Sequence, residues 1–408
     1  MRKMKESGID WIGAIPEDWD IIRFKRIHNC MNTGESIDKN FWTTESDGTV
    51  FYTAGSVPIK TTFKDFPIWK ITKENDLLLA RNGTPYVYLP VKEAFYTDHI
   101  IRASLKEGIN RKYVRYSLQQ SISSVVVETV SIPTWSASIW NSQELPWPSI
   151  EYQNKIVAFL DDKCDKIDSV IKKQQLVIEK LNAYKMSIIT ETVTKGLSAE
   201  RNMKSSGSEF IGEVPEEWQI LKFGRCVTIK SNLVPPEDYG DYPQISPEHI
   251  EKNSGRLFDT YTTVKESGVI SGNHLFFKGQ IIYSKIRPML NKVTIAPFDG
   301  LCSADMYPIE TGNHTKFILY MMLSDYFTAQ VGLVTENRVK MPKINQNELS
   351  NITVALPPLD EQKQIADYLD KKCAAIDASI AKRQQLIEKL TEYKKSLIFE
   401  VVTGKKEV

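Results

Sequence analysis

The chain has 408 residues, 41% of them hydrophobic and 25% charged, with a formal net charge of +1. That length allows two or three domains, each able to bury its own core, and the near-zero charge excludes nucleic-acid binding through bulk basicity alone. No run of about 18 apolar residues reads as a membrane span, and Cys30, Cys164, Cys226, Cys302 and Cys373 are scattered without a C-x-x-C pair, against a disulfide framework or a zinc site.

The charged start, Arg2-Lys-Met-Lys-Glu6, leads into no apolar segment and so reads as no signal peptide, which places the protein in the cytoplasm. Next comes a signature, Ser7-Gly-Ile-Asp-Trp-Ile-Gly-Ala-Ile-Pro-Glu-Asp-Trp19, whose aromatic anchors and Gly and Pro turns suit a staple that packs the domain's start onto a helix end. Residues 20–145 then alternate short β-branched and aromatic runs with Gly, Pro and Asn, the pattern of strands and loops. They hold 15 Lys and Arg against 13 Asp and Glu, so this stretch is not basic overall. Within it, Leu77-Leu78-Leu79 reads as a strand that opens into a loop carrying Arg81, Asn82, Thr84 and Tyr86, side chains suited to base-edge and phosphate contacts. Trp135, Trp140 and Tyr88 nearby read as core.

From Glu151 to Thr194 there is no Pro or Gly. Leu160, Cys164, Ile167, Ile171, Gln174, Ile178, Leu181, Lys185 and Ile188 follow alternating spacings of four and three, which is a coiled-coil seam. Pro146, Pro148 and Glu151 suit its start and Gly196 its stop. About 44 helical residues make a rod of roughly 65 Å, too long to be stable without a partner.

The whole order then repeats. The signature returns as Ser206-Gly-Ser-Glu-Phe-Ile-Gly-Glu-Val-Pro-Glu-Glu-Trp218, displaced by 199 positions (206 − 7), and the helix returns displaced by 209 (373 − 164). Its seam is Leu369, Cys373, Ile376, Ile380, Arg383, Ile387, Leu390, Lys394 and Leu397, with polar residues at the same two places, between Pro357-Pro358 and Gly404. The second middle segment is therefore ten residues longer than the first (209 − 199). Residues 219–355 hold 14 basic against 13 acidic side chains, and their strand Ile281-Ile282-Tyr283 aligns with Leu77-Leu78-Leu79, setting Lys285 on Arg81. The loop after it, with Lys285, Arg287, Asn291 and Lys292, is the counterpart candidate contact surface. Tyr239, Tyr242 and Tyr283 again read as core.

Each long helix needs a partner, and the nearest is its own copy. Chain order makes that pair antiparallel and brings the end of the chain back to the first signature, a quasi-circular, pseudo-twofold arrangement. The expected fold is α+β: a first β-rich domain over 1–146, a spacer helix over 147–196, a second domain over 197–355 and a second spacer over 356–408. A homo-oligomeric coil with appended domains is the alternative pairing. Gln174, Arg383, Lys185 and Lys394 set register in either case.

An enzyme would need a site, and the motifs are missing. There is no phosphate loop, no G-x-G-x-x-G and no G-x-S-x-G elbow. Val234-Pro-Pro-Glu237 and Leu356-Pro-Pro-Leu359 do not match the Asn-Pro-Pro-Tyr type of adenine methyltransferase motif, and Pro357 to Lys363 opens a helix rather than forming a nuclease centre.

In this arrangement the chain resembles the specificity (S) subunit of type I restriction-modification systems. The matching pieces are Ile9 to Trp19 with its copy, Leu356-Pro-Pro-Leu-Asp-Glu-Gln362, and Lys285-Ile-Arg-Pro-Met-Leu-Asn-Lys-Val-Thr-Ile-Ala-Pro-Phe-Asp-Gly300. The resemblance implies two target recognition domains, each reading half of a bipartite double-stranded DNA site, and helices that fix the gap. It also implies two methyltransferase subunits and later restriction subunits as partners, with S-adenosylmethionine, ATP and Mg on those partners and no cofactor in this chain. The first helix departs from the pattern, opening with Trp147-Pro-Ser-Ile-Glu-Tyr-Gln153, and the first domain has Asn82-Gly83-Thr84 in place of Ile-Arg-Pro. A coiled-coil protein-interaction scaffold without DNA reading is the competing function.

Overall fold

The computed structural model describes residues 2–125, 133–198, 200–336, 338 and 341–408. It divides into two compact units, Met1–Lys173 with Gln385–Val408, and Gln174–Gln384.

In the first unit a four-stranded sheet runs in the order His28–Thr33, Ile100–Leu105, Asp76–Ala80, Val87–Tyr88. Its strand Asp76–Ala80 is buried along its whole length because alternate residues point to opposite faces. Leu77 and Leu79 enter one core with Phe24, Trp135 and Trp140, while Leu78 and Ala80 enter another with Tyr88 and Tyr96. A second sheet, Phe95–Tyr96, Thr49–Tyr52, Ile59–Thr61, Trp42–Thr43, completes the domain.

The second unit rebuilds the first of these sheets as Thr228–Ile229, Met306–Glu310, Ile281–Ser284, Val293–Ile295, its strands met in the same chain order. Ile281 and Tyr283 again serve one core and Ile282 another. Its other sheet differs, with five strands: Leu233–Val234, Asn273–Phe276, Gly300–Cys302, Pro243–Ile245, Thr262–Thr263. In both units a two-stranded ladder joins the segment after the signature to the entry of a long helix: Asp20–Arg23 with Glu144–Trp147, and Gln219–Lys222 with Thr353–Leu356.

The long helices are Ile150–Lys195 and Leu359–Val402, of 46 and 44 residues. Their entries close alike, since Gln153 Nε2 donates to Pro148 O at 3.0 Å and Gln362 Nε2 to Pro357 O at 2.9 Å, so the altered first motif keeps its hook. In the first unit the early part of one helix packs against the late part of the other, with Ile156, Leu160, Ile167 and Ile171 meeting Leu390, Leu397, Val401 and Val402. In the second unit Ile189 and Val193 share a core with Ile365, Ala366, Leu369 and Cys373. Within each unit one helix ascends in number where the other descends, so the pairing is antiparallel and within one chain. Ile376 and Ile387 are also buried, and Ile178, Leu181 and Ile380 are half-buried.

The polar seam residues have partners. Lys394 Nζ lies 2.7 and 2.6 Å from the Asp168 oxygens in the first unit; Lys185 Nζ lies 2.8 Å from both Asp377 oxygens in the second. Arg383 Nη1 donates to Gln174 Oε1 at 2.6 Å. Each domain also grips its helix through a repeated triad. Asp161 accepts from Tyr116 at 2.9 Å and Lys112 at 2.5 Å, and Asp370 accepts from Tyr320 at 2.8 Å and from Lys316.

The signatures are staples. Hairpins Met4–Glu6 with Ala14–Pro16 and Met203–Ser205 with Glu213–Pro215 deliver Trp19 and Trp218, both buried, against the helix ends. Trp218 Nε1 donates to Glu361 at 3.0 Å, and Glu361 also receives Arg201. In the first unit Tyr152 stands at the position of Glu361, so Arg2 pairs with Asp18 and lies over the rings of Tyr152 and Trp19, at 4.8 and 5.5 Å. The stop at Gly404 is doubly constrained: φ is +73°, and an added Cβ would lie 2.5 Å from Pro16 Cδ and 3.1 Å from Trp19.

Two outcomes follow for unfolding measurements. Gly404→Ala should cost more than Gly8→Ala, because Gly8 shares the left-handed backbone but meets nothing within 4 Å. The strain alone is worth about 1–2 kcal/mol, and the overpacking at Gly404 adds about 1–3 kcal/mol; equal losses would contradict the staple. In double-mutant cycles, Lys185–Asp377 should couple more strongly than Lys394–Asp168. The Lys185 side chain keeps only 11% of its exposure against 29% for Lys394, and half-exposed pairs are worth about 1 kcal/mol or less.

Candidate nucleic-acid interface

Strand pairing decides where the candidate loops open. In the first unit the chain leaves Ala80 and is pinned at once by the segment ahead of a short helix. Trp135 N donates to Arg81 O at 2.6 Å, Gly83 N to Pro133 O at 2.9 Å, and Trp135 Nε1 to Gly83 O at 2.6 Å. Trp135 and Trp140 are thus buried supports beneath the loop, while Arg81, Thr84 and Tyr86 are exposed on it. Arg81 Nη1 reaches Asp98 O at 3.5 Å, and the half-buried Asn82 lies 2.8 Å from His99 Nδ1. Ser36 Oγ donates to Asp98 at 2.5 Å, and this bond, with help from Thr97 and His99, holds the Asp98 carboxyl below its ordinary range.

The second unit pins its loop through the same two backbone bonds. Ile344 N donates to Lys285 O and Arg287 N to Pro342 O, at 2.9 and 2.8 Å. A one-turn helix, Pro288–Leu290, follows, flanked by Arg287 and Asn291 with φ of +45° and +40°. Arg287 is exposed; Lys285 is half-buried, its Nζ 5.2 Å from the Tyr307 ring centre. Of the two further residues read from the sequence as contacts, Asn291 is buried inside the fold and Lys292 is half-buried. Asn291 is 2% exposed and donates to Met322 O at 2.9 Å and Thr328 Oγ1 at 3.1 Å. Asparagine tolerates the left-handed backbone needed there, and its amide ties the turn to the core. Lys292 Nζ donates to Pro247 O at 2.6 Å.

Sequence reasoning missed the groups that strand pairing brings beside these loops. Asp98 and His99 lie beside Arg81, joined through Arg81 N to His99 O at 2.9 Å, and Ser36 bonds to Asp98. Asp305 lies beside Lys285, accepts Lys285 N at 3.0 Å and pairs with Lys343 at 2.9 Å. These residues lie far from the loops in sequence, and no local pattern announces them.

Among the described residues no group of three or more His, Cys, Asp or Glu side chains is placed to hold a metal. Burial pushes the Cys226 thiol up to about 11 and raises Cys302 further, which leaves both protonated and poorly nucleophilic near neutral pH. Among the described residues no single helix is long and apolar enough to cross a membrane. What both units offer is an exposed loop with donor side chains on a rigid sheet, suited to contacts with a polyanion.

The model of the type I restriction modification DNA specificity domain matches the chain twice, over residues 16–180 and 215–389. The chain belongs to that family. The specificity subunit of the type I restriction enzyme EcoDI from Escherichia coli is 28% identical over 411 residues, covering 96% of this chain and 89% of that protein. The MjaVIII specificity subunit of Methanocaldococcus jannaschii is 26% identical, covering 96% and 93%. A solved structure described as the structural basis underlying complex assembly and conformational transition of the type I R-M system superposes with a TM-score of 0.70. Its identity is 13%, and the coverage is 96% of this chain and 99% of that one. The two family matches each span most of one domain and most of the long helix that follows it. The chain is thus a type I specificity subunit, a non-catalytic DNA-recognition component with two recognition domains that works with other subunits; catalysis lies in those partners.

Proposed function

We propose that each domain reads one half of a bipartite double-stranded DNA site, the first through Arg81, Asn82, Thr84 and Tyr86 and the second through Lys285 and Arg287. Asn291 and Lys292 hold the second loop in shape. The observation that carries this reading is the loop after the same frame strand in both units. It is pinned through the same backbone bonds yet displays different side chains. A duplicated support with unlike tips is what a two-part, non-repeating target calls for. The paired helices set the gap between the half-sites. They also offer docking surface to two methyltransferase subunits, with restriction subunits joining that assembly. S-adenosylmethionine, ATP and Mg belong to those partners, which supply further phosphate contacts and so reconcile DNA binding with a net charge of +1. The complex acts in the cytoplasm.

The test is methylome sequencing of a host that expresses the chain with its methyltransferase. Replacing residues 20–145 by the corresponding segment of another specificity subunit should change one half of the methylated motif and leave the other intact. Removing one heptad from each long helix should leave both halves and shorten the gap by about 3 bp, since seven residues span about 10 Å of helix and a base pair about 3.4 Å. If both halves change in the swap, or the heptad deletion alters the bases read rather than their spacing, the division between readers and spacer is wrong.

A further inference from the structure

One backbone position is left-handed in both domains and is filled differently. It lies six residues past the start of the matched strand run, Gly83 after Leu77 and Arg287 after Ile281, with φ of +74° and +45°. In each case its N–H donates to a proline carbonyl, Pro133 O at 2.9 Å or Pro342 O at 2.8 Å. The fold therefore demands a left-handed residue there. Glycine meets that demand without strain, whereas an L side chain is strained, and a residue preceding proline, as Arg287 does, is pushed further towards extended backbone.

The first domain shows that the frame needs no side chain at this position: Gly83 has open space, with nothing within 4 Å of an added Cβ. Arg287 is exposed and makes no side-chain hydrogen bond or ion pair among the described residues. The surroundings nevertheless enforce its backbone. Leu290 N donates to Arg287 O at 2.9 Å and Asn291 N to Pro288 O at 2.9 Å, while the buried Asn291 amide anchors the turn to Met322 and Thr328. A strained, solvent-facing arginine is thus kept where its internal counterpart is glycine, with no side-chain partner among the described residues. Strain of this kind collects where a side chain must be aimed at a ligand.

We propose that Arg287 is a specificity-determining DNA contact of the second domain, projected from the loop by its left-handed backbone; this rests on the reading of that domain as a half-site reader. The guanidinium offers a planar fork of donors that fits either a guanine edge or a phosphate. Two further outcomes tell these apart.

The experiment uses the complete complex with its methyltransferase subunits and a duplex carrying the motif found by methylome sequencing. Arg287→Gly should lower affinity about tenfold or more while the thermal midpoint stays the same or rises, because glycine relieves the strain. A loss confined to duplexes with an intact second half-site identifies a base edge. A uniform loss on all sequences, with the salt slope reduced by about one, identifies a phosphate contact, which carries no sequence information, and overturns the specificity-determining role. Unchanged affinity in Arg287→Gly would overturn the assignment, and so would a lower thermal midpoint accompanying the loss, since that marks a structural role. If the unsubstituted complex binds no bipartite motif, the half-site reading itself fails and the assignment with it.

Discussion

Neither long helix can exist alone. A rod of 46 or 44 residues with a single apolar stripe exposes that stripe to water unless another helix covers it, and this chain supplies the cover by repeating itself. Where the stripe is broken by lysine, the duplication also provides the compensating acid: Lys394 finds Asp168 and Lys185 finds Asp377. A buried lysine without that carboxylate would be a liability, and with it the pair favours one register over its neighbours. The staples then fix the helix ends, because Gly404 admits Pro16 and Trp19 to a distance no side chain could share.

On this support the chain separates what must stay from what can differ. The four-stranded sheet, the ladder at the helix entry, the Lys–Tyr–Asp grip and the backbone bonds that pin the loop are all kept in both units. The other sheet changes strand count and connectivity. The ten extra residues of the second half enter in two steps. The displacement is 199 at the signature, 204 at the frame strand (281 − 77) and 209 at the helix entry (353 − 144). The first insertion falls with the variable sheet and the second lies beyond the helix Thr315–Leu323, so the matched sheet and grip are left intact.

Much of this was legible in the sequence because it is periodic. The seam from Leu160 to Leu181 and from Leu369 to Leu390 announces the helices and their need of a partner, chain order gives the antiparallel sense of their pairing, and the paired tryptophans announce the staples. The acids opposite the seam lysines were not legible, since Asp168 and Asp377 become partners only once the register is known. The grip residues were hidden for a different reason: Lys112 and Tyr116 recur at a displacement of 204, whereas Asp161 recurs at 209, so neither repeat frame contains the whole triad. Asn291 looked like a contact because an asparagine in a loop between lysines resembles one. Only its left-handed backbone and its bond to Met322 O show that it serves the turn. The shared position of Gly83 and Arg287 likewise appears only in the backbone, where two unrelated residue types adopt one conformation.

The account's central claim is that one intramolecular support carries two different readers. Its most direct test is to sequence the methylome of a host lacking other adenine methyltransferases, with this chain and its methyltransferase expressed together. The account predicts one new adenine-methylated motif made of two unlike specified halves, separated by a fixed number of unspecified bases. A continuous motif, or one whose halves are the same sequence in inverted repeat, would contradict it.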